Sequence, residues 1–403
     1  MQRVITKKAG LAIAVALMSS SVQATQTGFH EALSKGKVYG DLRLRFEQVQ
    51  QDNALRDAES LTLRTRLGYR TADYNGLSGL VEFEDVRNVA GLDSYNDTLG
   101  KNPNYSVIAD PETTELDQAY LKYRLGDITG RFGRQVITYD NHRFIGDVGW
   151  RQDRQTFDAA RLTYTPSGNL EIDYAYLSQR NRIFAESQDL PSRDHILNVA
   201  YQSSLGKLTG YAYLLEIDEG IENSLDTFGL RYVGRQDLES LGIIYEAEYA
   251  IQESESGGAD FNAEYYKLNA GIDIAGVIVS AGLEVLGSDN GNYGFSTPLA
   301  TLHGQNGWAD QFLNTPLAGL EDASVSVKAP VAGGGLTLKY HDFTASDSPG
   351  GASDLGSELD MVYERKFAEN YSAGIKYARY MAGDAAAGKV DTDKLWLTLG
   401  ARF

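Results

Sequence analysis

Arg43 and Arg45 lie two residues apart, as do Arg64 and Arg66, with Arg70 four residues further on. In an extended chain that spacing puts each set on one face. Guanidinium groups stay charged and grip carboxylates through two parallel hydrogen bonds, so a wall of them is an anion-binding surface. Lys122 and Arg161 fall at matching positions of later segments, and so do the acids Glu82, Glu84, Glu171, Asp173, Glu246, Glu248, Glu284 and Asp360. Two arrangements fit this mixture. Either Glu82 and Glu84 pair across a ladder with Arg64 and Arg66 and merely satisfy them, or a basic arc faces an acidic arc and sets a transverse field between them.

Other chemistry is thinly supplied. A hydrolytic site needs a nucleophile and a base held together, and His30, His142, His195, His303 and His341 are scattered through the chain. Asp289-Asn290-Gly291-Asn292 offers oxygen ligands but lacks the spacing and terminal glutamate of a calcium loop, and reads as a solvated turn. With no cysteine there is neither a disulfide framework nor a thiolate metal site. No catalytic residue, metal or cofactor is expected.

The elements that must hold these charges are strands. Over Lys37–Glu47, Val38, Leu42, Leu44 and Phe46 oppose Tyr39, Asp41, Arg43, Arg45 and Glu47, and over Ser60–Thr71, Leu61, Leu63, Leu67 and Tyr69 oppose the arginines. The last stretch, Asp393–Phe403, alternates Leu395, Leu397, Leu399, Ala401 and Phe403 against Trp396, Thr398, Gly400 and Arg402. About eighteen such segments follow one another, an even number that places both termini on one side. Short turns, among them Ala72–Gly76, Gly126-Asp127, Ser203–Gly206, Arg235–Asp237, Asp273–Gly276 and Ala368–Asn370, alternate strictly with longer links. A phase break at Gly133-Arg134 reads as a bulge. So many one-sided strands cannot all face one dry core, because a closed barrel of that size is wide enough inside for water. The apolar faces therefore point outward, to lipid. The expected fold is all-β: a transmembrane antiparallel up-and-down β-barrel of about 18 strands.

Both ends support an exported chain. Met1–Gly10 carries Arg3, Lys7 and Lys8, Leu11–Met18 is apolar, and Val22-Gln23-Ala24 is a small-x-small site, so residues 1–24 read as a signal peptide and 25–403 as the barrel. Its removal takes away three positive charges and moves the net charge from −18 to −21, which argues against a nucleic-acid partner. The terminal Phe403 on an apolar-alternating strand resembles the signal read by the barrel-assembly machinery, and outer-membrane lipid and lipopolysaccharide are the other expected partners.

Three links are long, at about 87–114, 138–155 and 287–320. The second carries Arg151 and Arg154, and the third carries His303 and Trp308 among Phe295, Leu299, Leu302, Phe312 and Leu313. Those apolar residues either fold inward as a constriction or pack against a neighbouring loop at the rim.

Leu116-Asp117-Gln118-Ala119-Tyr120, Gly133-Arg134-Gln135, Arg143-Phe144-Ile145-Gly146, Trp150-Arg151 and Gln155-Thr156-Phe157-Asp158 together resemble the alginate-export family of outer-membrane porins. Thr297–His303 followed by Asn306–Asp310 is similar to a segment of its porin-like members. The resemblance implies an eighteen-stranded barrel and, in the namesake, an arginine-lined conduit for a polyanionic polysaccharide. The numerous acidic positions here depart from a uniformly positive conduit. The sequence thus points to a passive channel in the outer membrane of a Gram-negative bacterium. Its solutes are small and hydrophilic, and by the arginines anionic: carboxylates, sugar acids or oligosaccharides. An export conduit for an anionic polysaccharide, an outer-membrane hydrolase and a plugged receptor barrel are the alternatives.

Overall fold

The computed structural model describes residues 26–217, 223–347 and 351–403; the expected signal peptide lies outside them. A short helix, α1 (Gln26–Ser34), leads into eighteen strands. The first nine are β1 (Lys37–Gln51), β2 (Ala58–Arg70), β3 (Leu77–Ser94), β4 (Thr113–Leu125), β5 (Ile128–Gln135), β6 (Thr156–Ser167), β7 (Leu170–Asn181), β8 (Leu190–Gln202) and β9 (Lys207–Leu215). The rest are β10 (Asn223–Leu238), β11 (Leu241–Ser256), β12 (Ala259–Ile274), β13 (Val277–Leu286), β14 (Leu320–Val331), β15 (Gly334–Thr344), β16 (Asp354–Phe367), β17 (Tyr371–Met381) and β18 (Thr392–Arg402). Each strand pairs antiparallel with the next, and β18 returns to β1 with Asp41 opposite Arg402 and Gln51 opposite Thr392. The sheet is a closed barrel without edges. The amide of Gly40 donates to Phe403 across the seam at 2.9 Å. A Cβ at position 40 would run into the Phe403 ring, so the glycine makes room for the terminal aromatic.

The alternation fixes inside and outside. Phe132 is 72 % exposed and Leu399 54 %, while Arg45, between two apolar neighbours on β1, is 1 % exposed. Leu67, Phe83, Leu121, Leu230, Leu268 and Val325 join the outer apolar surface. A wall this apolar is one that hydrocarbon solvates and water does not.

Three features differ from the sequence reading. The bulges are not at Gly133-Arg134, which pair one to one with Tyr120 and Ala119; Gly133 only adopts a positive φ of 119°. The register instead shifts between Glu82 and Phe83 on β3, leaving Asp117 unopposed, and between Asp158 and Ala159 on β6, leaving Ser178 unopposed. The alternation of short and long links is also not strict. β11 and β12 stay paired as far as Ser256 opposite Ala259 and turn through Gly257-Gly258, both at positive φ, so this link on the long-loop side is as tight as the others are long. Likewise β10 continues through the expected Arg235–Asp237 turn to Leu238, and β3 runs on past Arg87 to Ser94.

The interior is not simply water. Segments 136–155 and 287–319 fold into the barrel and build a core against its inner wall: Phe144 sits 5.1 Å from Tyr211, 5.3 Å from Tyr265 and 6.0 Å from Phe295, and Phe312 sits 4.6 Å from Phe343. Of the two placements open for the third long link, the inward one holds: Phe295, Leu299 and Phe312 are buried.

Candidate functional site

The two inward segments are stitched to each other. Gly146 donates to the Leu299 carbonyl at 2.7 Å, Thr301 to that of His142 at 3.0 Å, and the Thr301 hydroxyl accepts from Val148 at 3.0 Å. Gln155 reaches both strands of this contact, donating to the Gly146 carbonyl at 2.8 Å and to Leu299 at 3.2 Å.

The wall charges hold these segments. Arg43 donates to Gln152 at 2.8 Å, to the Gly149 carbonyl at 2.9 Å and to that of Arg151. Arg45 donates to the Trp150 carbonyl at 2.5 Å and to Asp110, which comes from the 95–112 link. Three successive carbonyls, 149 to 151, thus accept from two wall arginines. Beyond the β18–β1 seam, on β13 to β16, the polarity inverts: the amide of Ala309 donates to Glu358 at 2.7 Å and that of Trp308 to Asp360 at 3.3 Å, while Asn306 bridges Glu284 and Asp322 at 3.0 Å each. Arginines of β1 thus hold one infolded segment by its carbonyls, and carboxylates of β13, β14 and β16 hold the other by its N–H groups; the two sets lie three to six strands apart around the ring, with Asp41, Glu47 and Glu84 interleaved among the arginines.

Arg151 and Arg154 act as bolts. Arg151 donates to both Glu47 oxygens at 3.1 Å and to Asp310 at 3.3 Å; Arg154 donates to Asp117 at 2.6 and 3.1 Å and to Glu82. Burial works against the Asp110 charge, yet Arg45 and Arg151 hold its carboxyl below the ordinary value. Asp310 is likewise buried and still held well below the ordinary carboxylate value by His303, Lys394 and Arg151. No cation pairs with Asp153 among the described residues: burial, with Glu84 and Glu115 beside it, pushes its carboxyl well above the ordinary value.

The remaining predicted positions divide in two. Arg66 pairs with Glu84, as the ladder reading expects, but Arg64 pairs with Asp41 and Glu82 turns to Arg154 and Gln118. Glu246 accepts from Arg231 at 2.8 Å, and Glu248 accepts from the Tyr211 hydroxyl at 2.9 Å. Arg70, Lys122 and Arg161 lie elsewhere. Lys122 stands opposite Arg131, and Arg131 opposite Arg161, so three cations sit side by side in register on the inner faces of β4, β5 and β6. Arg161 is paired with Asp173 at 2.9 Å; Lys122, Arg131 and Arg70 have no carboxylate within ion-pair distance among the described residues. Adjacent cross-strand positions are about 5 Å apart, so this row is a concentrated positive field. Arg131 was missed from the sequence, although the alternation that sends Phe132 outward sends its neighbour inward. His303 and Trp308 meet Lys376 on β17, a lysine whose partners no spacing in the sequence reveals.

At the long-link end a cavity of about 820 Å³ opens over the segments, lined by Trp150, Phe184, Leu302 and Leu313 with Arg182 and Lys389. The Asp289–Asn292 stretch is a turn closed by the Asp289 amide on the Tyr293 carbonyl, and among the described residues no group of three or more His, Cys, Asp or Glu is arranged to hold a metal ion.

A closed eighteen-stranded barrel, apolar outside, charged inside and narrowed by two infolded segments, defines a porin-type β-barrel. The chain belongs to the alginate export family, whose model matches residues 37–285. Its fold is shared with OccK9 (OpdG) of Pseudomonas aeruginosa, at a TM-score of 0.72 and 14 % identity over 92 % of this chain and 100 % of that one. OccAB1 of Acinetobacter baumannii gives 0.71 at 13 % over 92 % and 97 %, and P. aeruginosa OpdK, solved with vanillate, gives 0.70 at 14 % over 92 % and 99 %. No curated protein matches the sequence.

Proposed function

We propose that this chain is an outer-membrane channel for small hydrophilic anions, sugar acids and other carboxylates among them. The observation that carries the reading is the in-register row Lys122, Arg131 and Arg161 with Arg70, facing the lumen against Asp173 and Glu171 as the nearby acids. Charges in a confined aqueous passage select by sign through the field they set up. Arg43, Arg45, Arg64, Arg66, Glu82, Glu84, Glu246 and Glu248 then serve chiefly to hold the inward segments and balance one another, and the cations of β4–β6 carry the selectivity.

The apolar outer wall supports placement in the outer membrane, the Phe403 seam supports delivery by the barrel-assembly machinery, and the leader supports export with cleavage after Ala24. The infolded segments favour small solutes over a polysaccharide chain, because they are anchored to the wall from β13 round to β1 by many hydrogen bonds. The histidines support a channel over a hydrolase: His303 is engaged by Asp310 and Lys376, His341 by Asp322, and His195 by the Tyr174 hydroxyl. Swelling of liposomes carrying the purified protein tests this. Glucuronate should enter several times faster than glucose; equal rates, or none for either, count against it.

A further inference from the structure

All three tryptophans of the chain converge on one lysine, and two of them also on one histidine. The Lys376 ammonium lies 3.8 Å from the Trp308 ring centre, 4.1 Å from Trp150 and 5.6 Å from Trp396. Trp150 stacks on His303 at 4.1 Å with the planes 6° apart, and Trp396 meets the same imidazole edge-on at 5.5 Å. His303 belongs to the 287–319 segment, Trp150 to 136–155, and Lys376 and Trp396 to the wall. This is the point at which both infolded segments meet β17 and β18.

The two ring nitrogens of His303 have opposite neighbours. Nδ1 is 2.7 Å from Asp310 and Nε2 is 2.6 Å from the Lys376 ammonium. An ammonium has only donors, so Nε2 must accept, and the hydrogen on Nδ1 then goes to Asp310. The arrangement requires a neutral imidazole. A proton on Nε2 turns the acceptor into a donor aimed at another cation, and no rotation about the ring repairs that. We propose that His303 is a proton-operated latch, holding segment 302–310 against β17 while neutral and releasing it on protonation so that the channel widens in acid.

From its own segment His303 faces Asp310, which Lys394 on β18 holds at 2.8 Å and Arg151 at 3.3 Å. Behind Arg151 stand Glu47 of β1 and Asp110. From β16, Glu358 and Asp360 accept from the amides of Ala309 and Trp308. Burial, with Asp310 opposing and Lys376 and Arg151 reinforcing it, holds His303 well below the ordinary imidazole value. The sign follows. The latch is complete above the unlatched imidazole's value of about 6.5 and weakens as the pH falls below it, by up to about tenfold per pH unit, until the pH passes the lowered value of the latched ring.

The proposal rests on the channel reading for its consequence but not for its chemistry, and two measurements separate them. Tryptophan emission of the detergent-solubilised protein reports on this site alone, since no tryptophan lies elsewhere. Emission should change between pH 7.5 and 4.5 in the natural protein and stay flat in His303→Gln, whose oxygen accepts from Lys376 and whose amide donates to Asp310 without titrating. Lys376→Met, which removes both the opposing cation and the hydrogen bond to Nε2, should shift the transition to higher pH, a shift to lower pH counting against the latch, and heat-modifiable gel mobility verifies that each variant is folded. Single-channel conductance should rise over the same range in the natural protein and not in His303→Gln. A flat emission in the natural protein, or a pH response that His303→Gln retains, overturns the latch. An emission change that depends on His303 without any conductance supports the latch and overturns the channel.

Discussion

Removing Arg151 gives the sharpest view of how the inward segments are held. Its guanidinium reaches both oxygens of Glu47, whose side chain is fully buried, and Asp310, with Asp110 at 3.8 Å. Arg151→Met keeps the apolar stem and deletes the charge, leaving Arg45 at 3.5 Å as the remaining cation beside Glu47. Stripping one partner from a buried ion pair costs about 3 kcal/mol, which shifts the balance between docked and undocked segment about 150-fold. Most of that cost is the stranded carboxylate. Glu47→Gln added to Arg151→Met should therefore recover about 2 kcal/mol, although it deletes a second charged group. The assay is open-channel current noise in planar bilayers, read together with protease cleavage within 136–155. The single variant should flicker and be cut; the double variant should be quiet and resistant. Equal behaviour of single variant and natural protein, or a double variant worse than the single, refutes the claim that this cluster docks the segments.

Three further outcomes are expected. Lys122→Glu with Arg131→Glu changes the field at the selective row by four charges. Each is worth about 0.8 kcal/mol to an anion at about 5 Å in water, and about 0.5 kcal/mol after screening in 0.1 M salt, so chloride permeability should fall about 30-fold and the chloride-to-potassium ratio change sides of unity. Replacing 302–310 by a short Gly-Ser link should raise single-channel conductance severalfold, whereas an unchanged conductance would mean that the segment does not narrow the passage. Deleting Phe403 removes two seam hydrogen bonds with Gly40 and the ring over it; the yield of heat-modifiable barrel in outer-membrane fractions should drop, and a normal yield would argue against its role in assembly.

The barrel was legible because a period-two pattern survives any tertiary context that keeps one face apolar: Leu42, Leu44 and Phe46 against Arg43, Arg45 and Glu47 leave one way to orient β1. Strand ends were less so, since pairing on β3 and β11 continues where the apolar pattern has stopped. The site was legible in its parts and not in its partners. Arg43 and Arg45 could be placed inside, but their bonds run to the carbonyls of residues 149–151, about a hundred positions away, and backbone carbonyls leave no mark in a sequence. The pairing of Arg66 with Glu84 was visible because cross-strand neighbours are local in register. Arg64 with Asp41 and Glu82 with Arg154 follow from the tilt of the sheet and the path of a loop. The Lys376–His303 contact joins β17 to an infolded segment, and no spacing rule connects them.

Passage of small anions past the β4–β6 cations underlies the transport proposed for this barrel. The reversal potential of the natural protein in a planar bilayer under a tenfold KCl gradient tests it most directly. An open channel is expected, with a potential that lies on the chloride side of zero and moves toward zero as salt is raised and the row is screened. A potential on the potassium side, or a membrane that stays silent in the presence of folded barrel, contradicts it.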